Sequence, residues 1–191
     1  MFADLVKKNR SYRGFDENVK MSRDDLAEFV EMARYTASGA NLQPLKYRLV
    51  TDEAETAQLN KATRWAKMLK DIELPHPGHY PVAYIVICLD TELCANPEGA
   101  ALDIGIAAQT ILLGAVEKGF GGCMLGNYER TEIAAVLKLD SRFVPRLLIA
   151  LGKPVENVKL VEAENGDIKY YRDANDIHYV PKRSLTELLI D

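Results

Sequence analysis

The sequence has little cysteine and no long apolar run, and each absence excludes a class of protein. Its three cysteines, Cys88, Cys94 and Cys123, show no Cys-x-x-Cys spacing and have no histidine at metal-ligand spacing. A structural zinc site is therefore not predicted, and Cys88 and Cys123 are interpreted as packing residues. Because no stretch reaches about 18 apolar residues, no transmembrane helix is predicted.

The chain also lacks an excess of basic charge. Its formal net charge is −4 and its pI is about 5.5, which argues against a general nucleic-acid binder. The first residues do not resemble a signal peptide, so a cytoplasmic location without nucleic-acid or membrane partners is expected. With 48% apolar residues in 191, the chain predicts one domain, 1–191, with a buried core.

The three histidines do not form a metal signature. His76 and His79 flank Pro77-Gly78, a dipeptide typical of loops, so both are predicted to be surface residues. The sequence around His178 predicts no role for that residue.

Basic and hydroxyl side chains concentrate near the start of the chain, in Asn9-Arg10-Ser11-Tyr12-Arg13-Gly14-Phe15. Arginine presents a rigid fork of donors that suits phosphate or carboxylate, and serine adds a neutral donor. A second basic pair, Lys182-Arg183, lies near the other end. Two interpretations stay open at this point: a solvated basic surface, or one anion site formed by both ends of the chain.

Apolar periodicity along the chain alternates between helix and strand. Ser22 precedes a helical pattern that runs to about Tyr35, and Asp25 completes a capping box. Val82–Leu89 is almost entirely apolar, which predicts a central strand buried on both faces. The other predicted elements are helices at 1–8, 52–70, 96–118 and 130–137, and strands at 45–50 and within 119–128, 143–152 and 156–176. This order predicts an α+β fold with a mixed, mostly antiparallel central sheet flanked by helices.

The helix at 96–118 and the segment after it are unusual. The helix is apolar on nearly every side, which indicates a central position or burial in an oligomer. Gly119, Gly121, Gly122 and Gly126 follow within eight residues. They predict a helix C-cap, a short strand and a turn, and either tight packing or close approach of a ligand explains their number.

Four motifs occur in order: Arg10–Arg13, Ser38–Pro44, Asp103–Gln109 with Gly119–Gly121, and Ala150–Pro154. Together they resemble the nitroreductase family of FMN-dependent oxidoreductases in its small single-domain form. The corresponding family patterns are R-S-x-R, P-S-x-x-N-x-Q-P-W, D-x-G-x-A-x-Q with G-L-G, and A-L-G-x-P. This sequence departs from them at Ala37, where the family has Pro, and at Leu45, where it has Trp.

The resemblance implies one FMN per subunit, bound at a homodimer interface that the long helix forms, with NAD(P)H as co-substrate. It also implies ping-pong hydride transfer to an electron-poor small molecule such as a nitroaromatic or quinone. Because the long insertion of larger members is missing, the pocket is expected to be open. The implied FMN-binding residues are Arg10, Ser11, Tyr12, Arg13, Ser38, Gly39, Asn41, Met124, Leu125, Gly126, Asn127, Lys182 and Arg183.

These residues divide by role under the resemblance. Arg10, Ser11 and the basic pair of the tail 178–191 would hold the phosphate, and Arg13 would act catalytically by stabilising charge at flavin N1 and O2. The segment 38–41 would come from the partner subunit. The segment 124–127 would lie behind the flavin ring and donate backbone N–H groups to N5 and O4.

Three alternatives remain open on the sequence. One is a specialised enzyme of the same fold, for ene reduction, dehalogenation or flavin fragmentation. Another is a non-enzymatic FMN-binding protein, and the last is a basic interaction module without flavin.

Overall fold

The computed structural model describes residues 1–69, 72–94, 96 and 98–190, and its centre is a five-stranded sheet. The strands are β1 (Phe15–Asp16), β2 (Leu45–Val50), β3 (Ala83–Asp90), β4 (Gly121–Leu125) and β5 (Phe143–Pro154). The order is β1-β5-β3-β2, with β4 also paired to β5, and every pair is antiparallel. All eight residues of β3 are buried, which confirms the predicted central strand.

Helices cover both faces of this sheet. The helices are α1 (Phe2–Lys8), α2 (Arg23–Arg34), α3 (Glu53–Ala62), α4 (Ala101–Glu117), α5 (Arg130–Val136) and α6 (Leu185–Leu188), with a 3₁₀ turn at Gly39–Asn41. One apolar cluster includes Phe29 of α2 and Ile111 of α4, and the other includes Leu59 of α3 and Ile133 of α5. The sheet therefore separates two cores, each closed by one pair of helices.

The start of α2 follows the predicted capping box. The Asp25 N–H donates to Ser22 Oγ over 3.1 Å, and the Ser22 N–H donates to Asp25 Oδ2 over 2.8 Å. These hydrogen bonds satisfy N–H groups at the start of the helix. The pKa of the Asp25 carboxyl is lowered first by a hydrogen bond from the Ser22 hydroxyl and then by the one from the Ser22 N–H.

The chain after β5 forms a second, smaller sheet of β6 (Val158–Glu162), β7 (Tyr171–Arg172) and β8 (His178–Lys182). Strand β8 pairs in parallel with β6 and antiparallel with β7. The predicted fold class is confirmed, and the parallel pairing that makes the fold mixed lies in this smaller sheet. Within the described residues, no helix is long and apolar enough to cross a membrane.

Two predicted helix boundaries are wrong. The helix predicted over 52–70 ends at Ala62, because Thr63 turns extended and bridges to Tyr128, a contact distant in sequence; Lys70 lies outside the described residues. The helix predicted from residue 96 begins at Ala101. Asn96 instead uses its side chain to accept from the Glu98 N–H, which favours a turn.

The glycine run serves two structural purposes. Gly119 follows α4 with φ of 79°, the left-handed conformation of the predicted C-cap. A Cβ at Gly121 would lie 2.6 Å from Tyr12 Cδ2, so only glycine lets the N-terminal segment pack there. Gly126 has open space beside it, so tight packing does not account for that glycine.

Candidate functional site

The two ends of the chain meet at one cavity of about 380 Å³. Segment 9–13 forms one wall, α4 and β4 contribute Gln109 and Met124, and the small sheet contributes residues from β6 and β8. Arg10, Arg13 and Lys182 all line this cavity, although Lys182 lies more than 160 residues from the two arginines in sequence. We call it the arginine cavity.

Backbone pairing fixes the N-terminal motif beside the cavity. Ser11 forms an isolated parallel bridge with Gly122, and the Tyr12 N–H donates to the Gly122 carbonyl over 3.0 Å. Asn9 is buried and donates through Nδ2 to Gln109 Oε1 over 3.3 Å. Arg10, Ser11 and Arg13 therefore line the cavity, whereas the Tyr12 ring packs against Gly121.

Arg10 is only partly satisfied by the protein. Its Nη2 donates to the Val6 carbonyl over 3.0 Å, but its Nε is buried and has no hydrogen-bond partner among the described residues. Burial lowers the pKa of its guanidinium, with Tyr12 acting in the opposite direction. A donor left in this state is costly unless an acceptor is supplied from outside the chain.

Arg13 is held by neutral groups. Its Nη1 donates to the Ser11 carbonyl over 3.1 Å and lies 3.4 Å from His178 Nε2. The guanidinium carbon also lies 5.3 Å from the centre of the Tyr170 ring, within reach of a cation–π interaction.

The cationic side chains of the cavity have no carboxylate partner among the described residues. In the ranges that the structure describes, no ion pair includes the guanidinium of Arg10 or Arg13 or the ammonium of Lys182. By contrast, Arg183 lies outside the cavity and pairs with Glu187 over 3.3 Å. The tail pair therefore separates, and only Lys182 reaches the cavity.

His178, at the start of β8, also lines the cavity. Its side chain is buried, with 1% exposure of the residue, and its pKa is lowered to about 4 by burial and then by the charges of Arg13 and Arg172. The sequence missed this residue, because one histidine in a polar segment carries no signal until β6 and β7 pair around it. His79 is exposed, as predicted, and His76 is partly exposed.

The turn at 38–41 does not line the arginine cavity of its own chain. Ser38 Oγ donates to Asp103 Oδ2 over 2.5 Å, and the Gly39 N–H donates to Asp103 Oδ1 over 3.1 Å. Ala40, Asn41 and Gln43 have φ of 49°, 56° and 49°, a conformation that costs free energy for residues with a side chain. The turn borders a separate cavity of about 480 Å³ between α2 and β2.

The residues at the end of β4 also separate. Met124 lines the arginine cavity, whereas Leu125 is buried in the apolar cluster on the other face of the sheet. Gly126 and Asn127 are exposed, and the Asn127 carbonyl accepts from the Arg64 N–H over 3.0 Å. Among the described residues, no group of histidine, cysteine and carboxylate side chains is placed to bind a metal ion.

This donor set fits an anion with several acceptor oxygens. Three cationic side chains, those of Arg10, Arg13 and Lys182, line the cavity together with Ser11. The model of the Nitroreductase family matches residues 6–153.

The chain belongs to the nitroreductase family.

Relatives of this nitroreductase family member are distant in sequence but extend over most of the chain. YodC of Bacillus subtilis strain 168, named as an NAD(P)H nitroreductase, is 23% identical over 180 residues that cover 80% of this chain and 89% of YodC. YdgI of the same organism, named in the same way, is 25% identical over 194 residues that cover 81% and 89%.

Solved structures share the fold. A protein of Exiguobacterium sibiricum 255-15, described as a nitroreductase in complex with FMN, has a TM-score of 0.68 at 20% identity, covering 90% of this chain and 97% of its own. The enone reductase CLA-ER has a TM-score of 0.69 at 22% identity, covering 86% and 93%. At these identities the likeness establishes the fold and leaves the substrate open.

Proposed function

We propose that this protein is an FMN-dependent oxidoreductase that uses NAD(P)H to reduce an electron-poor small molecule such as a nitroaromatic or quinone. The observation that carries the proposal is the convergence of Arg10, Arg13 and Lys182 on one cavity without carboxylate partners among the described residues. A phosphate monoester is close to a dianion at neutral pH and needs such donors. The name of YodC and the FMN complex from Exiguobacterium sibiricum support the same assignment.

In this proposal the chain binds the phosphate from both of its ends. Arg10, Ser11 and Lys182, which all line the cavity, hold the phosphate oxygens. Met124 provides an apolar contact at the cavity wall. The backbone from Leu125 to Asn127 is proposed to support the flavin ring.

The chemistry that FMN supplies when bound is two-electron transfer, with NAD(P)H as donor and the organic molecule as acceptor. Arg13 stabilises the negative charge that reduction adds, because its own charge has no carboxylate partner among the described residues. The donor and the acceptor use the same opening in turn, which corresponds to ping-pong kinetics. No side chain of the site needs to act as a nucleophile.

We further propose that two chains complete each site. On α4, Leu102 is 78% exposed and Ile106 is 41% exposed, an apolar surface that a second chain would cover. Asp103, which binds the turn at 38–41, lies roughly 9 Å from Gln109 along the axis of α4 and on a different side of the helix. The turn is therefore held away from the Gln109 side of its own chain. A second copy of the chain would thus supply the turn at 38–41 to the arginine cavity.

The visible spectrum of the purified protein tests the cofactor assignment. We expect flavin bands at about 370 and 450 nm and their loss on anaerobic mixing with NADH or NADPH. Turnover with nitroaromatic, quinone and enone acceptors then separates the main proposal from ene reduction, which the likeness to CLA-ER raises. A colourless protein that fails to bind added FMN would refute the assignment, and bound flavin that NAD(P)H cannot reduce would point to a non-enzymatic flavoprotein.

Light scattering during dilution tests the shared site. We expect FMN to dissociate when the dimer does. A stable monomer that retains FMN tightly would contradict a site built from two chains.

A further inference from the structure

His178 lies beside two guanidinium groups whose charges are balanced differently. Arg172 is opposite His178 in the β7–β8 pair, and its side chain is ion-paired with Glu156 and with Asp176. Arg13 approaches the imidazole with Nη1 3.4 Å from Nε2 and has no carboxylate partner for its guanidinium among the described residues.

The contact with Arg13 determines the proton position on the imidazole. A guanidinium nitrogen can only donate, so His178 Nε2 must accept, and the single proton of the neutral ring then belongs to Nδ1, a buried atom without a hydrogen-bond partner among the described residues. Burial and the two nearby arginines keep the ring neutral at physiological pH, since its pKa is lowered to about 4.

The groups that hold the Arg13 guanidinium are all neutral. They are the Ser11 carbonyl, the Tyr170 ring and the His178 imidazole, whose own ring lies 5.4 Å from that of Tyr170. A carboxylate in place of His178 would also orient Arg13, but it would cancel much of its charge. A neutral acceptor fixes the same side chain and leaves its charge for a ligand.

We propose that His178 is a positioning residue for Arg13, which it orients toward the cavity as a neutral hydrogen-bond acceptor. The inference rests on the proposed function, because it takes FMN as the ligand that meets the charge of Arg13. It adds a residue that none of the four family motifs contains.

Nuclear magnetic resonance tests the tautomer without any cofactor. The sequence has three histidines, so a sample labelled with ¹⁵N only in histidine gives a simple spectrum. We expect the Nδ1–H tautomer for His178 at pH 7, with the Nε2 resonance shifted in Arg13→Ala. An Nε2–H tautomer, an imidazolium at pH 7, or no response to Arg13→Ala would overturn the proposal.

Three substitutions test the acceptor position through the dissociation constant for FMN, measured by quenching of flavin fluorescence. His178→Gln places an acceptor near the position of Nε2, whereas His178→Asn reaches only that of Nδ1 and His178→Phe has none. We expect Gln to bind FMN nearly as the unsubstituted protein does, and Asn and Phe to bind it roughly tenfold more weakly, the size of one hydrogen bond to a charged group.

The matched control is His76→Phe. His76 is half-exposed and bonds Asp176 over 3.2 Å, so its loss should leave FMN affinity unchanged. Urea unfolding of every variant checks that folding is preserved. Unchanged affinity in His178→Phe, or rescue by Asn but not by Gln, would overturn the proposal. Absence of FMN binding in the unsubstituted protein would refute the proposed function instead, and the tautomer would still decide the role of His178.

Discussion

Arg13 and Arg172 both lie close to His178, but among the described residues only the charge of Arg172 is paired with carboxylates. Arg172 has a side chain that is 1% exposed, and it is paired with Glu156, itself 6% exposed, and with Asp176. Arg13 borders a cavity, and its guanidinium contacts only neutral groups among the described residues. Glu156 does accept from Arg13, but only from its backbone N–H.

The difference separates a structural arginine from one available to a ligand. A buried guanidinium without a carboxylate would destabilise the fold, so Arg172 needs its partners. A guanidinium beside an open cavity keeps part of its hydration and loses it only when an anion binds. Pairing, more than position in sequence, therefore separates the arginine that stabilises the fold from the arginines proposed to bind a ligand.

The largest expected effect is on stability, in Arg172→Ala. Removing this guanidinium leaves the Glu156 carboxylate buried without its partner, so the free energy of unfolding should fall by about 3–5 kcal/mol. Urea unfolding measures the change. Arg34→Ala, which removes an exposed ion pair with Glu31, is the control and should have little effect. Equal effects of the two variants would show that the buried ion pair of Arg172 contributes no more to stability than an exposed pair.

The opposite pattern is expected for Arg10→Ala. FMN affinity should fall by about 10–100-fold, the range for charge-assisted hydrogen bonds to a phosphate, while the free protein unfolds at an unchanged or slightly higher urea concentration. Lys7→Ala, which removes an exposed cation from the neighbouring helix, is the control for general electrostatics. Undiminished flavin affinity in Arg10→Ala would exclude Arg10 from the phosphate site.

The third prediction concerns the pH dependence of stability through His178. Its pKa is near 4 in the folded chain and 6.5 in the unfolded chain, so only the unfolded chain takes up a proton between these values. Stability should therefore fall as the pH drops from 6.5 toward 4, by about 2 kcal/mol more than in His178→Gln. Burial, followed by the charges of Arg13 and Arg172, favours the neutral ring, and Asp176 acts against them. Parallel pH profiles for both proteins would contradict the assignment.

A smaller effect should separate the two basic residues of the tail. Lys182 lines the arginine cavity and Arg183 pairs with Glu187, so Lys182→Ala should weaken FMN binding by about fivefold, as expected for an exposed charge contact. Arg183→Ala should change the affinity less. The reverse order in titrations at low salt would show that Arg183 turns into the site when FMN binds.

The smallest expected effect is on the chemistry of Cys123. Burial raises the pKa of its thiol, while the positive charge of Arg13 and a hydrogen bond with Ser11 oppose that rise. Arg13→Gln should therefore slow alkylation by iodoacetamide, whereas Arg183→Gln, which changes an exposed arginine outside the cavity, should not. Mass spectrometry can follow the reaction, with the partly exposed Cys94 as internal reference. An equal rate in Arg13→Gln would mean that the charge of Arg13 is screened from Cys123.

Local features of the fold were predicted well because their causes lie within a few residues. Strand β2 occupies the predicted range Leu45–Val50, and the Ser22–Asp25 box begins α2 as expected. The end of α3 was not predicted, because Thr63 becomes extended through a bridge to Tyr128. Helical periodicity continues past that point in the sequence and contains no sign of the distant partner.

The candidate site could be predicted from the sequence only in part. The sequence marked Arg10, Arg13 and the basic tail as one possible anion site, and the fold brings Arg10, Arg13 and Lys182 to one cavity. It did not distinguish Lys182 from Arg183, because β8 ends at Lys182 and only that strand fixes which residue borders the cavity. The partner contribution of Ser38, Gly39 and Asn41 and the ring contacts of Gly126 and Asn127 stay predictions.

By itself, the sequence of this nitroreductase family member determined the order of its helices and strands. It also determined the excess of hydrogen-bond donors near both ends of the chain. Only the tertiary structure decided which charges are neutralised. Glu156 reaches Arg172 and not the guanidinium of Arg13, and His178 becomes buried only when β6, β7 and β8 assemble. The physical reason is that pairing and desolvation depend on distances between side chains that are far apart in sequence, and these distances are set by the packing of the whole chain.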